Sequence, residues 1–339
     1  MTDCRMMHAF QPTRSCGRDR RSSAPVVLLA GLLSLAFSCA AIDLDAAVRA
    51  SWNADDPLAC LARNVRADPK AFRMLDLTLR VAQEIYPEMG REKGVLAFRK
   101  ELDDLVRRLR KPLADAKDAQ AKAEGLARIL FDELELRTAT DEKPEQEVAD
   151  HYFPHAVLKR KRGVCLGFSL LYLCLAERLD LPLAPAHAPQ HIYVKWVGPD
   201  ATFSIETTSR GSVYDPERFK ERFKLTEEQA RASGYFEPLD AAGVLGDLLN
   251  AVAWFSAIGT AERRMTPERT VLAGLLCVAL EPRNYNNWDT LAQAYAYAGD
   301  HAAALAALRR TLAMKPAQAP HGDEFWKTRL ERFEKAAAK

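Results

Sequence analysis

The run from Val164 to Leu179 constrains this chain most. Leu166, Phe168, Leu170, Leu171, Leu173, Leu175 and Ala176 fall on nearly every side of a helix, and charge appears only at Glu177 and Arg178. A helix apolar all round must be enclosed by its domain. The pattern therefore predicts a buried central helix over about 164–179, with Cys174 read as core. Gly163 supplies a turn before it, and Cys165 lies in its first turn.

Downstream, past Pro182 and Pro185, His191 opens a strand-like segment, His191 to Val197. A polar turn at Gly198-Pro199-Asp200 leads to a second, Thr202 to Glu206. If the two form a hairpin, His191 at the start of one and Glu206 at the end of the other sit side by side. A thiol attacks carbonyl carbon only as the thiolate, which a helix N-terminus favours through its dipole and unpaired N–H groups. Cys165 is thus a candidate nucleophile, His191 its general base and Glu206 the group that orients the imidazole. The same N–H groups are candidates for holding an oxyanion. Three plainer readings stand beside this. Cys165 is simply core, Glu206-Thr207-Thr208 is a strand end with a turn, and Lys159-Arg160-Lys161-Arg162 is a solvated face. In the functional reading that basic run tunes Cys165 or recognises an anionic group.

A metal reading competes. His151 and His155 are four apart, as are His187 and His191, with Cys165 between the pairs. On a helix that spacing puts two ligands on one face, but Pro154, Pro185 and Pro189 disfavour helices there. No zinc-protease pattern, phosphate-cradling glycine loop or dinucleotide fingerprint is present. The sequence implies no metal and no cofactor.

Arg162-Gly163-Val164-Cys165-Leu166-Gly167-Phe168, with Leu171-Tyr172-Leu173 and Ala176-Glu177-Arg178-Leu179, resembles the transglutaminase-like superfamily, whose fold is papain-like. The lead-in Val157-Leu158-Lys159-Arg160-Lys161-Arg162-Gly163 is similar to that of the bacterial SirB-type branch. Leu102-Asp103-Asp104-Leu105 and Leu130-Phe131 resemble its preamble. The likeness covers roughly residues 60 to 215. The superfamily's Cys, His, Asp triad falls on Cys165, His191 and Glu206. The acid is Glu where Asp is usual, and Gln190 stands where the branch typically has Gly before the histidine. Many SirB-type members lack the cysteine and are not thought to be enzymes; this chain keeps all three groups.

Residues 43–150 read as helical scaffold. Expected helices run from Ala71 to Glu84, stopped by Pro87 and Gly90, from Glu92 to Leu109, ending before Pro112, and from about Leu113 to Leu136. Thr138 to Glu147, with Pro144, reads as a loop. Beyond Ala251 the chain is Ala-rich and repeats itself: Trp254 and Trp288 are 34 apart, as are Pro282 and Pro316. That period resembles the tetratricopeptide pattern of stacked helical hairpins, with Phe325 to Ala338 as a capping helix.

The first forty residues read as an export signal: a basic stretch ending at Arg20-Arg21, an apolar one from Val26 to Phe37, and a cleavage site near Ala40. Bulky Phe37 disfavours a lipid-accepting Cys39. Five Arg and two Asp lie in this leader, so 43 basic and 44 acidic residues remain, and no field for nucleic acid is left. Cys60, Cys165, Cys174 and Cys277 are too few and scattered for a disulfide framework, although a Cys60 to Cys277 bridge is open in an oxidising compartment.

The expectation is an α+β protein in four parts: signal peptide 1–40, helical region 41–150, transglutaminase-like core 151–245 with a central helix packed on an antiparallel sheet, and tetratricopeptide-like repeats 246–339. It is exported to the periplasm or cell envelope, with no transmembrane segment beyond the leader. The implied chemistry is thiol-mediated hydrolysis or transfer on a peptide or protein substrate, a cell-wall peptide among the options. The alternative is an inert core whose repeats recruit a protein partner.

Overall fold

The computed structural model describes residues 42–86, 89, 92–139, 149–258, 265–315 and 322–339, all within one compact unit, 41–339. The leader, the Pro87 and Gly90 stop, the loop around Pro144, and Pro316 lie outside the described residues.

Among the described residues the first five α-helices are α1 (Leu44–Ser51), α2 (Pro57–Ala67), α3 (Met74–Ile85), α4 (Glu92–Ala114) and α5 (Ala119–Ala127). Asp43, Asp56 and Asp118 cap three of them, each carboxylate accepting a first-turn N–H at 2.7–2.8 Å. Helix α3 starts later than expected because Pro69–Ala71 make a 3-10 turn instead. Helix α4 continues through Pro112 to Ala114. A proline there removes one bond to the carbonyl of exposed Arg108, at a position where the helix is about to end anyway. The expected helix from Leu113 to Leu136 is two pieces. Asp118 starts α5 afresh, and a π turn follows at Arg128–Glu133. Ile129, Leu130 and Phe131 are all buried there, three successive positions that a regular α turn would spread over about 200°.

The core holds α6 (Pro154–Arg160), where Pro154 begins the helix, and α7 (Cys165–Leu179), buried from Leu166 to Ala176. Between them, β2 (Arg162–Gly163) pairs in parallel with β1 (Arg137–Thr138). Gly163 is therefore no turn glycine. It is required because a Cβ there would meet Val157 Cγ2 at 2.8 Å and the Phe168 ring at 3.0 Å. Gly167 is tighter, with a Cβ 2.2 Å from the His151 carbonyl oxygen.

An antiparallel sheet lies against α7 in the order β3 (Leu183–Ala188), β4 (His191–Val197), β5 (Thr202–Glu206), β6 (Ser212–Tyr214). Register pairs Val194 with Ile205 and Trp196 with Phe203, which makes one face apolar. On the other face Tyr193 packs on Phe219 of α8 (Pro216–Glu221), ring centroids 4.4 Å apart. The prolines hid β3 from the sequence pattern. At a sheet edge Pro185 is tolerated, and residues 236–239 cover that edge through Phe236 N–H to His187 C=O and Leu239 N–H to Pro185 C=O, both 2.8 Å.

After α9 (Glu227–Ser233) come α10 (Ala241–Ile258), α11 (Pro267–Leu280), α12 (Tyr285–Tyr297), α13 (His301–Met314) and α14 (Asp323–Ala337). Helix α10 is long and apolar enough to cross a membrane, yet it is mostly buried. It packs on α11 and α12 and on the N-terminal α2 and α3. Arg269 of α11 adds ion pairs to Asp56 (3.0 Å) and Glu84 (2.6 Å). One apolar core consequently runs from Leu58 to Phe333.

Candidate active site

Cys165 is the first residue of α7. The preceding Val164 has no side chain able to cap, and the first backbone bond into the helix is Phe168 N–H to Val164 C=O, 3.0 Å. The N–H groups before Phe168 therefore have no acceptor within the helix. Cys165 is half-buried and unpaired, at the wall of a cavity of about 430 Å³. Cys174, nine residues on, is sealed in the core, where burial pushes its thiol up strongly.

The hairpin β4–β5 forms as its alternation predicts. His191 Nε2 is 2.8 Å from Glu206 Oε2. The other Glu206 oxygen accepts the Thr208 N–H at 3.0 Å and its hydroxyl at 2.7 Å. Arg222 approaches Glu206 at 3.4 Å. Burial alone would raise the Glu206 carboxyl, but the His191 and Thr208 bonds hold it below the usual range. For His191, burial pulls the pKa down, and the hydrogen bonds to Cys165 and Glu206 overcome it and lift the ring to about 10. With Nε2 given to Glu206, Nδ1 is the nitrogen left for the thiol.

The ring is presented by the two-residue turn Pro189-Gln190 between Ala188 and His191. Gln190 takes φ +52°, a left-handed conformation that glycine adopts freely and glutamine does not. Beneath it Ser169 of α7 reaches the Ile192 carbonyl and the Thr207 hydroxyl, both at 3.4 Å, tying helix, strand and turn together.

A second cluster borders the same cavity. His187 on β3 has Nε2 2.7 and 2.8 Å from the two Asp247 oxygens and Nδ1 3.7 Å from Glu281 Oε1. Burial lowers the His187 pKa, but the two carboxylates raise it to about 9. Burial raises Glu281 to about 7 against the opposing pull of His187. Donor atoms of these three residues lie within 4.8 Å of one another, close enough to share a metal ion. Of the earlier metal candidates only His187 is in this group; His151 and His155 are not.

The remaining expectations resolve simply. Lys159, Arg160 and Arg162 are exposed, and none of the basic run lines the cavity. Cys60 and Cys277 are both free, with no bridge between them. The cavity's far wall comes from the C-terminal helices: Asn284, Asp289 and Thr290, then Phe325 and Arg329. Arg329 binds both Asp289 oxygens at 2.6–2.7 Å and lies 4.5 Å over the Phe325 ring.

Asp247 and Glu281 escaped the sequence reading. One signal was available for Asp247, the lone charge in eighteen residues of otherwise uncharged helix. None existed for Glu281, a polar residue at a helix end like many others.

Residues 97–250 match the family model described as transglutaminase-like superfamily, and the mixed, helix-rich α+β architecture is consistent with that match. The matched stretch begins in α4 and ends in α10, taking in the triad positions and Asp247 but not Glu281. F-box only protein 21 of mouse and of human are each similar, 32% identical over 68 residues, 20% of this chain and 10% of theirs. The chain thus spans about a tenth of the length of the curated relatives it matches. No solved structure matches.

Proposed function

We propose that the protein is a thiol-dependent acyl enzyme acting on amides, with Cys165 as nucleophile, His191 as acid and base, and Glu206 as orienting group. The observation that carries this reading is the chain of contacts at one cavity: thiol to imidazole, imidazole to a buried carboxylate at 2.8 Å, with an uncapped helix start beside the sulfur. The Cys165 thiolate attacks the amide carbon, forming a C–S bond and a tetrahedral oxyanion that backbone N–H groups of the α7 start receive. Collapse breaks the C–N bond while His191 gives its proton to the departing amine. Water or a second amine then attacks the thioester, regenerating the thiol. The choice between hydrolysis and transfer follows from which nucleophile the cavity admits.

Glu in place of Asp is accommodated because its longer side chain is anchored on both Thr208 groups. The cavity has room for a peptide side chain and lies between the core and the C-terminal helices, consistent with a peptide or protein substrate, a cell-wall peptide included. Within this reading the basic and apolar stretches of the first forty residues act as an export signal, and the lead-in to α7 keeps its likeness to the SirB-type branch. The tetratricopeptide-like reading draws support from helix starts at Pro267 and His301, 34 residues apart, and makes the tail a partner-binding surface.

Iodoacetamide labelling of the full chain tests the enzyme. Cys165 is expected to be labelled selectively over the other part-exposed thiol, Cys60, and His191→Gln to abolish that selectivity. Ordinary thiol behaviour, unchanged by His191→Gln, leaves the second reading: a catalytically inert core carrying a recruiting tail. Mass of the mature secreted chain tests the leader.

A further inference from the structure

Beside the triad stand three metal-type donors that it does not use. His187 comes from β3, Asp247 from α10 and Glu281 from the residue after α11, and one donor atom of each lies within 4.8 Å of the others. The ring is fixed by Nε2, 2.7–2.8 Å from both Asp247 oxygens. A carboxylate on the far nitrogen is how a ligating imidazole is usually oriented. Nδ1 has no hydrogen bond among the described residues and faces Glu281 Oε1 at 3.7 Å. Ligands roughly 2.0–2.1 Å from one zinc-sized ion stand about 3–4 Å apart, so this gap has the width an ion needs. Glu281 Oε2 is buried with no hydrogen-bond partner among the described residues. Helix α10 turns Gly243 and Gly246 to this carboxylate, where a Cβ would stand 3.2 Å from Oε1 and 3.4 Å from Oε2. The side chains of Asp247 and Glu281 are each only 13% exposed, and among the described residues neither pairs with a Lys or Arg. Buried charges are paired or coordinate metals. A neutral ring, two carboxylates and a divalent ion sum to zero, which one imidazole alone does not achieve. His187 and Asp247 line the cavity, so an ion has a way in.

We propose that His187, Asp247 and Glu281 form a binding site for a divalent transition-metal ion of the zinc class. His187 Nδ1 and Glu281 are the ligands, Asp247 holds the ring in place, and water from the cavity completes the coordination. An imidazole donor selects zinc and its neighbours over calcium and magnesium, which take oxygen ligands. Ligation uses the Nδ1 lone pair, so ion and proton compete for it and binding tightens as pH rises. The ion joins β3 and α10, inside the family-matched stretch, to Glu281, outside it. It thereby staples the end of α11 to the sheet. The site does not depend on the acyl-chemistry reading.

The test is calorimetric titration of the chelator-stripped full chain with zinc chloride. About one zinc per chain is expected to bind, to raise the melting temperature, and to resist competition by calcium or magnesium. Glu281→Gln and His187→Gln are expected to abolish binding, and Asp247→Asn to weaken it at least about tenfold. Cys165→Ala is expected to bind as the wild type does. Two measurements on the wild-type chain hold even if a ligand variant fails to fold. Zinc should shift the NMR signals of the His187 ring and leave those of His191 in place. Cobalt(II) in place of zinc should show ligand-field bands without a thiolate charge-transfer band. Absence of stoichiometric zinc, binding untouched by Glu281→Gln, or an ion that follows Cys165 and His191 instead overturns the inference. None of these results decides the iodoacetamide test of the triad, and failure of that test leaves the zinc site standing.

Discussion

Two imidazole–carboxylate clusters meet at the Cys165 cavity, and they are assembled in opposite ways. His191 and Glu206 are 15 residues apart on adjacent strands of one hairpin, so the register that pairs Val194 with Ile205 also delivers their contact. His187 and Asp247 are 60 residues apart, and Glu281 lies further on, beyond α11. Nothing local brings them together; the docking of α10 and α11 does. The first cluster should survive whatever leaves the sheet intact, whereas the second reports on how the C-terminal helices sit.

The largest expected effect is the loss of the shared reference point. Cys165→Ala should remove amide-directed activity by about 10⁴-fold or more, measured by turnover of a peptide amide, with both clusters still formed. Glu206→Gln should cost about 10²–10⁴-fold and leave the His187 ring titration where it was. If that titration moves, the two clusters are not separable.

Stability against pH sharpens the comparison. Both rings are raised above the ordinary 6.5, His187 to about 9 and His191 to about 10. Their stabilisation is therefore complete below pH 6.5 and is lost as pH rises through 9 and then 10. Glu206 is lowered, so its share is present above its ordinary value of 4.5 and lost on acidification. Melting temperature should fall from neutral pH toward 10 in wild type, and in His187→Gln the part of that fall lying near pH 9 should vanish. An unchanged slope would mean that His187 is not charged in the folded protein.

Gly167→Ala acts on the frame that both clusters share. A Cβ 2.2 Å from the His151 carbonyl forces α7 away from its support, at a cost of about 1–3 kcal/mol, read by denaturant unfolding. Smallest of all, Lys159→Gln on the exposed basic run should change stability by no more than about 0.5 kcal/mol and leave the labelling profile of Cys165 alone.

Much of the site was legible because it is local. An all-apolar run ending in a short charged stretch marks a buried helix. A cysteine placed at its start and two alternating strands with a polar turn between them set out the other elements. The misses share a cause in context. Pro185 argues against a strand except at an edge, and edges are not visible in sequence. Pro112 argues against a helix except in a last turn, and Leu113 to Leu136 reads as one helix unless Asp118 is recognised as a cap. Gly163 read as a turn residue because glycine's usual reason is conformational. Its reason here is the Val157 methyl 2.8 Å from where a Cβ would be.

The sequence by itself determined the central helix, the hairpin and the order in which thiol, imidazole and acid appear, since periodicity and turn chemistry act over a few residues. Only the tertiary structure decided that His187 is buried against Asp247 and Glu281. It also decided that the far wall of the cavity belongs to the C-terminal helices. The reason is that a buried charge is defined by the charges that surround it, and those partners come from helices that no local pattern brings to the sheet.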